Sequence, residues 1–455
     1  MKKKIFIVLA CLCVAVLVFS ACNKSFKQKA VTAVPADAVV TGNGGKSVKV
    51  GNYLYFVNGY VGDTDVDNTF GTPYKSAIFR VQLNEDGSIK AGTCERIAPK
   101  NVVDTSTKGG IYVYNGWIYY ATPNTEKDKT GTVNTTYLDF FRTKLDASLT
   151  EKIWTIEGRN TDYAFYEGSL VYVLNNSLYS VDVETKKETV LIDGKLTTAK
   201  LIRGADGTFK DYIVYTRALP DELKNESYNQ LCIIKADGSD NKVLIDGDTY
   251  DETKTDIKNI FTIGLLDIVV SNESLTLYYT KSYTTGGSSV SVGTYCYMLN
   301  GSKTFDKAQE KRISTSSLSG IVPIGYEQGV LVTENSMVNK YGYQQAEIEK
   351  LIERSVTVRF VEGDYVYYTE TSSANALYRF PLNGDGVEEK VFSTTGISTT
   401  GNMFDVQDGY VYFIDTEYNY LYRYNFKGEL GGKPELVGVM TEEDKKAYDE
   451  KHVED

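Results

Sequence analysis

The chain of 455 residues contains one histidine, His452, and it lies in the charged tail TEEDKKAYDEKHVED. Without another imidazole, the rest of the chain can build no Ser-His-Asp triad, no histidine metal site and no imidazole base. Carboxylates are abundant, and a pair of them could cleave a glycosidic bond as general acid and nucleophile or base. No particular pair is marked out, however, and Asp86-Gly87, Asp237-Gly238 and Asp385-Gly386 read as turn residues. Asp63, Asp65 and Asp67 alternate, as the first oxygen ligands of a calcium loop would. Calcium takes six to eight oxygens, and such a loop needs Gly at its sixth place and Glu at its twelfth. Asn68 and Tyr74 stand there, so an acidic solvated turn is the favoured reading and calcium the alternative.

One cysteine has a chemistry of its own. Lys2, Lys3 and Lys4 precede an apolar run from Ile5 to Phe19, too short to span a bilayer comfortably, as in an export signal. The run ends in Phe19-Ser20-Ala21-Cys22, which resembles the lipobox of bacterial lipoproteins, with Phe19 in place of the usual Leu. That resemblance implies cleavage after Ala21, lipidation of Cys22 and retention on the outer face of the cell membrane. The alternative is an ordinary signal peptide with Cys22 incidental. Removing residues 1–21 takes away three Lys and no acid, leaving 46 basic against 60 acidic residues, a net charge of −14. Such a surface repels phosphate backbones and argues against a nucleic-acid partner. Cys94, Cys232 and Cys296 remain; three cannot form a complete disulfide framework, and they read as buried thiols within strands.

The elements that must carry these residues are written as a repeat. GDYVYYTETSSANALYRFPLNGDGVEEKVFS from Gly363 is echoed by DGYVYFIDTEYNYLYRYNFKGELGGKPELVG from Asp408. An aliphatic–Tyr step recurs at Leu54-Tyr55, Ile118-Tyr119, Val171-Tyr172, Val214-Tyr215, Leu277-Tyr278, Val366-Tyr367 and Val411-Tyr412, with Leu331-Val332 in the remaining slot. A polar residue before a short apolar run recurs eight times between Arg96-Ile97 and Glu435-Leu436, interleaved with the first motif. The 339 positions from Ile97 to Leu436 cover seven steps, a spacing that suits propeller blades of four strands. The fold expected is therefore all-β: a propeller of eight four-stranded blades over 46–440, after a signal at 1–21 and a lipidated tether at 22–45, with a charged tail at 441–455. Because the spacing varies from 37 to 70, seven blades remain the alternative count. In unit six, QQAEIEKLIER (344–354) has helical spacing, but the repeat makes its second half a strand. The tether is read as able to lend Ala38-Val39-Val40 to the last blade.

Tyr367-Tyr368-Thr369-Glu370, Tyr278-Tyr279-Thr280-Lys281 and Tyr215-Thr216-Arg217 are each followed downstream by a segment such as Leu377-Tyr378-Arg379-Phe380. They resemble the Tyr-Trp-Thr-Asp repeats of low-density-lipoprotein-receptor propellers, and over roughly 46–440 the chain resembles bacterial secreted lipoproteins carrying such propellers, of unassigned function. The Trp and strict Asp of the animal receptors are absent, and those have six units, so no receptor ligand carries over. Sialidase boxes, Gly-rich phosphate loops and CxxC sites are also absent.

Connections between second and third strands should share one face, and four are long: 58–76, 121–137, 218–229 and 281–293. Tyr60, Phe70, Tyr74, Tyr137, Tyr228 and Tyr283 lie there, aromatic groups suited to a protein or carbohydrate partner. Solvated decoration is the competing reading. The function expected is a membrane-anchored binding or scaffolding module outside the cytoplasm. A carbohydrate-active enzyme with paired carboxylates is one alternative; another is a structural part of an envelope assembly, although the Trp-rich repeat of one such propeller is absent, with only Trp117 and Trp154 present. Calorimetric titration with calcium is expected to show no saturable heat before or after Asp65→Ala; a heat abolished by Asp65→Ala would establish the metal reading.

Overall fold

The computed structural model describes residues 30–438 apart from 37–38, 61–74, 99–101, 103–108, 159–160, 222–225, 247–260, 286–287, 302, 344–347, 372–375, 396, 398–404 and 416–418. Its strands form eight sheets of four, at 47–96, 112–156, 163–192, 196–245, 262–314, 321–352, 356–393 and 405–436, here blades 1 to 8. Each is an antiparallel meander in which every strand pairs with the next in sequence. The first strands of blades 1 and 2, 4 and 5, 5 and 6, and 6 and 7 touch one another, which marks the first strand as the inner one. Eight blades replace the seven-bladed alternative. Glu349–Ile352 is a strand, as the repeat requires of unit six.

The apolar cores lie between blades. Tyr112, Leu170 and Tyr215 share one cluster across blades 2, 3 and 4, while Val48, Tyr55, Ile118 and Tyr120 join blades 1 and 2. Further clusters join 4 to 5, 5 to 6, 6 to 7 and 7 to 8. The ring closes where Leu54, Phe56 and Phe79 of blade 1 pack on Tyr412, Ile414 and Leu421 of blade 8. Burying a large apolar side chain contributes about 1.5–3 kcal/mol, and each blade does so on both faces only because it has two neighbours. Asn58 Oδ1 accepts the Leu421 N–H at 2.8 Å across this seam, and the Gly59 N–H reaches the Asn419 carbonyl at 2.7 Å.

The repeated Arg of the third strand has a structural reason. Tyr55, Tyr119, Tyr367 and Tyr412 stand directly opposite Arg80, Arg142, Arg379 and Arg423. These arginines stand in turn opposite Glu95, Glu151, Glu389 and Glu435 on the outer strands. Each Nε donates to its glutamate, at 2.9, 3.0, 2.7 and 2.8 Å. Each guanidinium also lies 4.3–4.6 Å from the ring of Tyr53, Trp117, Tyr365 or Tyr410 at the start of the second strand. Two of these arginines then reach the next blade. Arg142 pairs with Glu184 of blade 3, and Arg423 donates to the Gly87 carbonyl of blade 1 at 2.9 Å. Blades 7, 8, 1 and 2 share this frame and are consecutive around the ring.

Glycine and Asx turns join strands at the end opposite the long hairpins, here the lower end. Asp86 Oδ1 accepts both the Ser88 N–H and hydroxyl, and Asp237 does the same for Ser239, holding these carboxyls below their usual range. Cys232 and Cys296 are buried strand thiols as expected, but Cys94 is only partly buried and precedes the short strand Glu95–Arg96.

Arg80 is almost fully buried, and removing it orphans the Thr32 carbonyl and loses its packing on the Tyr53 ring, while Glu95 keeps access to solvent. Arg80→Ala is expected to lower stability by about 2 kcal/mol in urea unfolding, through lost hydrogen bonds and lost packing. Lys427→Ala, which removes an exposed pair with Glu362, should leave the midpoint unchanged. Equal effects of the two would contradict the frame.

Candidate functional site

The long second-to-third connections of blades 2, 4 and 5 turn out to be hairpin arms rising from the upper end. In blade 4 the strands Tyr212–Asp221 and Glu226–Lys235 stay paired out to Asp221↔Glu226, so 218–229 is chiefly strand. In blade 5, Leu275–Thr285 and Ser288–Leu299 stay paired out to Thr285↔Ser288, so 281–293 is strand too. The expectation of irregular loops fails there because Thr, Ser, Val and Tyr suit an extended two-sided ribbon as well as a loop. In blade 1 the pairing extends to Tyr60↔Lys75. In blade 2 it ends at Pro123↔Leu138, with a further bridge between Lys127 and Val133. Blade 3 turns in two residues, Asn175 and Asn176, both at positive φ. Blade 6 does the same at Asn335 and Ser336.

The arms of blades 2, 4 and 5 each stand on a buried polar base. In blade 2, Asp139 accepts from Asn124 Nδ2 at 3.0 Å and Thr155 Oγ1 at 2.7 Å and pairs with Lys152 at 2.9 Å. Lys152 also pairs with Glu126 in the arm. Burial lowers the pKa of Lys152, but its hydrogen bonds to Glu126 and Asp139 leave it above the ordinary lysine value. In blade 4, Arg217 donates to Gln230 at 2.9 Å and Gln230 to Asp246. In blade 5, Lys281 pairs with Glu310 at 2.6 Å and lies over the Tyr295 ring. Sequence reasoning missed these bases, since Asp139, Gln230 and Lys281 carry no signal until register pairs them.

Of the residues expected to bind a partner, Tyr137, Tyr228 and Tyr283 are half-buried on three different arms, in blades 2, 4 and 5. Tyr283 stands opposite Val290, and Tyr228 opposite Leu219. Phe70, Tyr74 and the side chain of Tyr60 lie outside the described residues, as do Asp63, Asp65, Asp67 and Cys22. Among the described residues, no group of three His, Cys, Asp or Glu side chains could hold a metal.

The chain's own N-terminal segment enters the central channel. Val31 N–H donates to the Asp146 carbonyl at 2.7 Å, and Arg80 reaches the Thr32 carbonyl, both at the lower end. Thr41 then exchanges both backbone hydrogen bonds, at 2.8 Å, with Val113 on the inner strand of blade 2. This replaces the expectation that Ala38-Val39-Val40 joins the last blade. Because the pairing is antiparallel, the segment climbs from the lower end and turns back at 43–46 into the inner strand of blade 1. Glycine is required where this turn meets its neighbours: a Cβ on Gly45 would lie 1.7 Å from Asp405 Oδ2, and one on Gly110, in the segment facing the turn, 2.2 Å from the Gly44 backbone.

Acids do reach this channel, as a carboxylate enzyme would need, but they are engaged. Asp162 pairs with Arg203. Asp405 accepts from Asn43 Nδ2 at 3.0 Å and from the Lys46 N–H at 3.3 Å. Burial raises the pKa of Asp405 above the ordinary carboxyl value, against those hydrogen bonds.

No family model and no curated sequence matches this chain. Among solved structures, dipeptidyl peptidase 4 of Porphyromonas gingivalis aligns with a TM-score of 0.36 and 10% identity, over 84% of this chain and 56% of that one. A study of two prolyl endopeptidases aligns at 0.37 and 10%, over 91% and 51%. The β-propeller domain of the Trilobed protease from Pyrococcus furiosus aligns at 0.35 and 12%, over 75% and 92%. The chain thus spans about half the length of the two whole peptidases. These likenesses concern the fold alone.

Gly110→Ala combines a clash with a positive φ of 64° and is expected to cost about 2 kcal/mol or more in urea unfolding. Because the folded-state pKa of Asp405 is raised, its contribution to stability is greatest below the ordinary carboxyl pKa and is lost as pH rises through the raised value. The midpoint at about pH 4 minus that at about pH 7, taken with its sign, should therefore be smaller in Asp405→Asn than in the parent. An unchanged difference would contradict this.

Proposed function

We propose that this chain is a lipid-anchored module outside the cytoplasm that binds or scaffolds a protein or carbohydrate partner through the arms of blades 1, 2, 4 and 5. The observation that supports it is the asymmetry of the upper end. Two hairpins of blades 4 and 5 extend pairing far beyond what the blade core requires, while blades 3 and 6 turn in two residues. Ordered hairpins on buried polar bases present half-buried tyrosines at little additional entropic cost, as a recognition surface needs. Lipidation at Cys22 and the likeness to receptor-type lipoprotein propellers belong to this reading as sequence inferences. The carbohydrate-active alternative finds less support, because the channel acids Asp162 and Asp405 already hold the chain's own groups.

The reading is tested in intact cells by placing a photo-crosslinking residue at Ser288 on the blade 5 arm or at Ser336 on the short turn of blade 6. Adducts specific to Ser288, lost when Tyr228→Ser and Tyr283→Ser are introduced without change in thermal midpoint, are expected. Identical adducts from both positions would refute it. Cys22→Ser should move the protein from the membrane to the soluble fraction.

A further inference from the structure

We infer that the route of the N-terminal segment fixes which end of the propeller faces the membrane: the lower turns lie toward the bilayer and the arms point away from it. The inference rests on the lipidation of Cys22 proposed above and deepens it. Ala30 to Val34 lies at the lower end, where Val31 meets the Asp146 turn of blade 2, the Thr32 carbonyl accepts from Arg80, and Val34 is buried beside Val48 and Val50. From there the chain enters the channel and is held by Thr41, Asn43 and Lys46. The attachment point of the tether is therefore pinned to the lower end by hydrogen bonds at several sites.

Reach decides the orientation. Cys22 and Ala30 are separated by eight peptide steps. At full extension these span about 29 Å at most. The second strand of blade 5, Leu275–Thr285, has 11 residues. At about 3.3 Å per residue it is about 36 Å long, from the lower turn to the arm tip. With the arms against the bilayer, Ala30 would stand farther from the surface than its tether can stretch. A partner of the arms then approaches from the side away from the anchoring membrane, which excludes the lipid of that membrane as their ligand.

The test uses the full lipidated protein in vesicles of phosphatidylcholine and phosphatidylglycerol containing an acceptor-labelled lipid. A donor fluorophore is attached at Glu273→Cys, in the lower turn of blade 5, or at Ser288→Cys, at the tip of the arm on the same blade; the unsubstituted protein supplies the background. Energy transfer from the Glu273 position is expected to exceed that from Ser288 by about twofold or more, given a height difference of about 36 Å. Equal transfer, or stronger transfer from Ser288, overturns the orientation while leaving the anchor intact. Failure of the protein to bind vesicles more than its Cys22→Ser variant overturns the anchor, and the orientation with it.

Discussion

A four-stranded sheet with apolar side chains on both faces cannot be stable alone in water, and this chain builds eight of them. Its cores consequently form between sheets: Tyr55 and Ile118 belong to one cluster, Tyr367 and Val411 to another, and Phe56 and Leu421 close the circle. Each blade depends on its two neighbours, and the first and last blades depend on each other without a shared strand. The rest of the molecule follows from that need for closure.

Polar groups then fix how the blades sit. The Tyr–Arg–Glu ladders run across three strands of blades 7, 8, 1 and 2, and Arg142 and Arg423 reach on to a carboxylate or carbonyl in a turn of the next blade. That half of the ring contains the seam, where hydrogen bonds from Asn58 and Gly59 supplement the apolar contact. The N-terminal segment adds a second tie, joining the inner strand of blade 2 to Asp405 of blade 8 through Thr41, Asn43 and Lys46. With inner strands and channel committed to stability, the upper arms are where the blades are free to differ, and they do.

The repeat was legible because blade packing demands the same residue type at the same place. The aliphatic–Tyr step marks every second strand except that of blade 6, where Leu331 and Val332 fill the same buried places. The Arg of Leu-Tyr-Arg was visible as a repeat, but its partners were not, because Glu389 and Tyr365 become neighbours only through strand register. The arms were legible as long connections and were misread as loops, since serine- and threonine-rich ribbons carry no alternation that separates them from coil. The path of residues 39–46 could not be read at all. Its glycines are explained by distant residues, Asp405 and Tyr112, that no local pattern connects to them.

Interdependence of the blades is most directly measured on a chain ending at residue 395, which lacks blade 8 and thus both the seam and Asp405. Near-ultraviolet circular dichroism and urea unfolding would be compared with those of the full chain. Loss of the aromatic signal and of a cooperative transition throughout the remaining seven blades is the result the account predicts. A truncated chain that kept its signal and unfolded at an unchanged midpoint would contradict it.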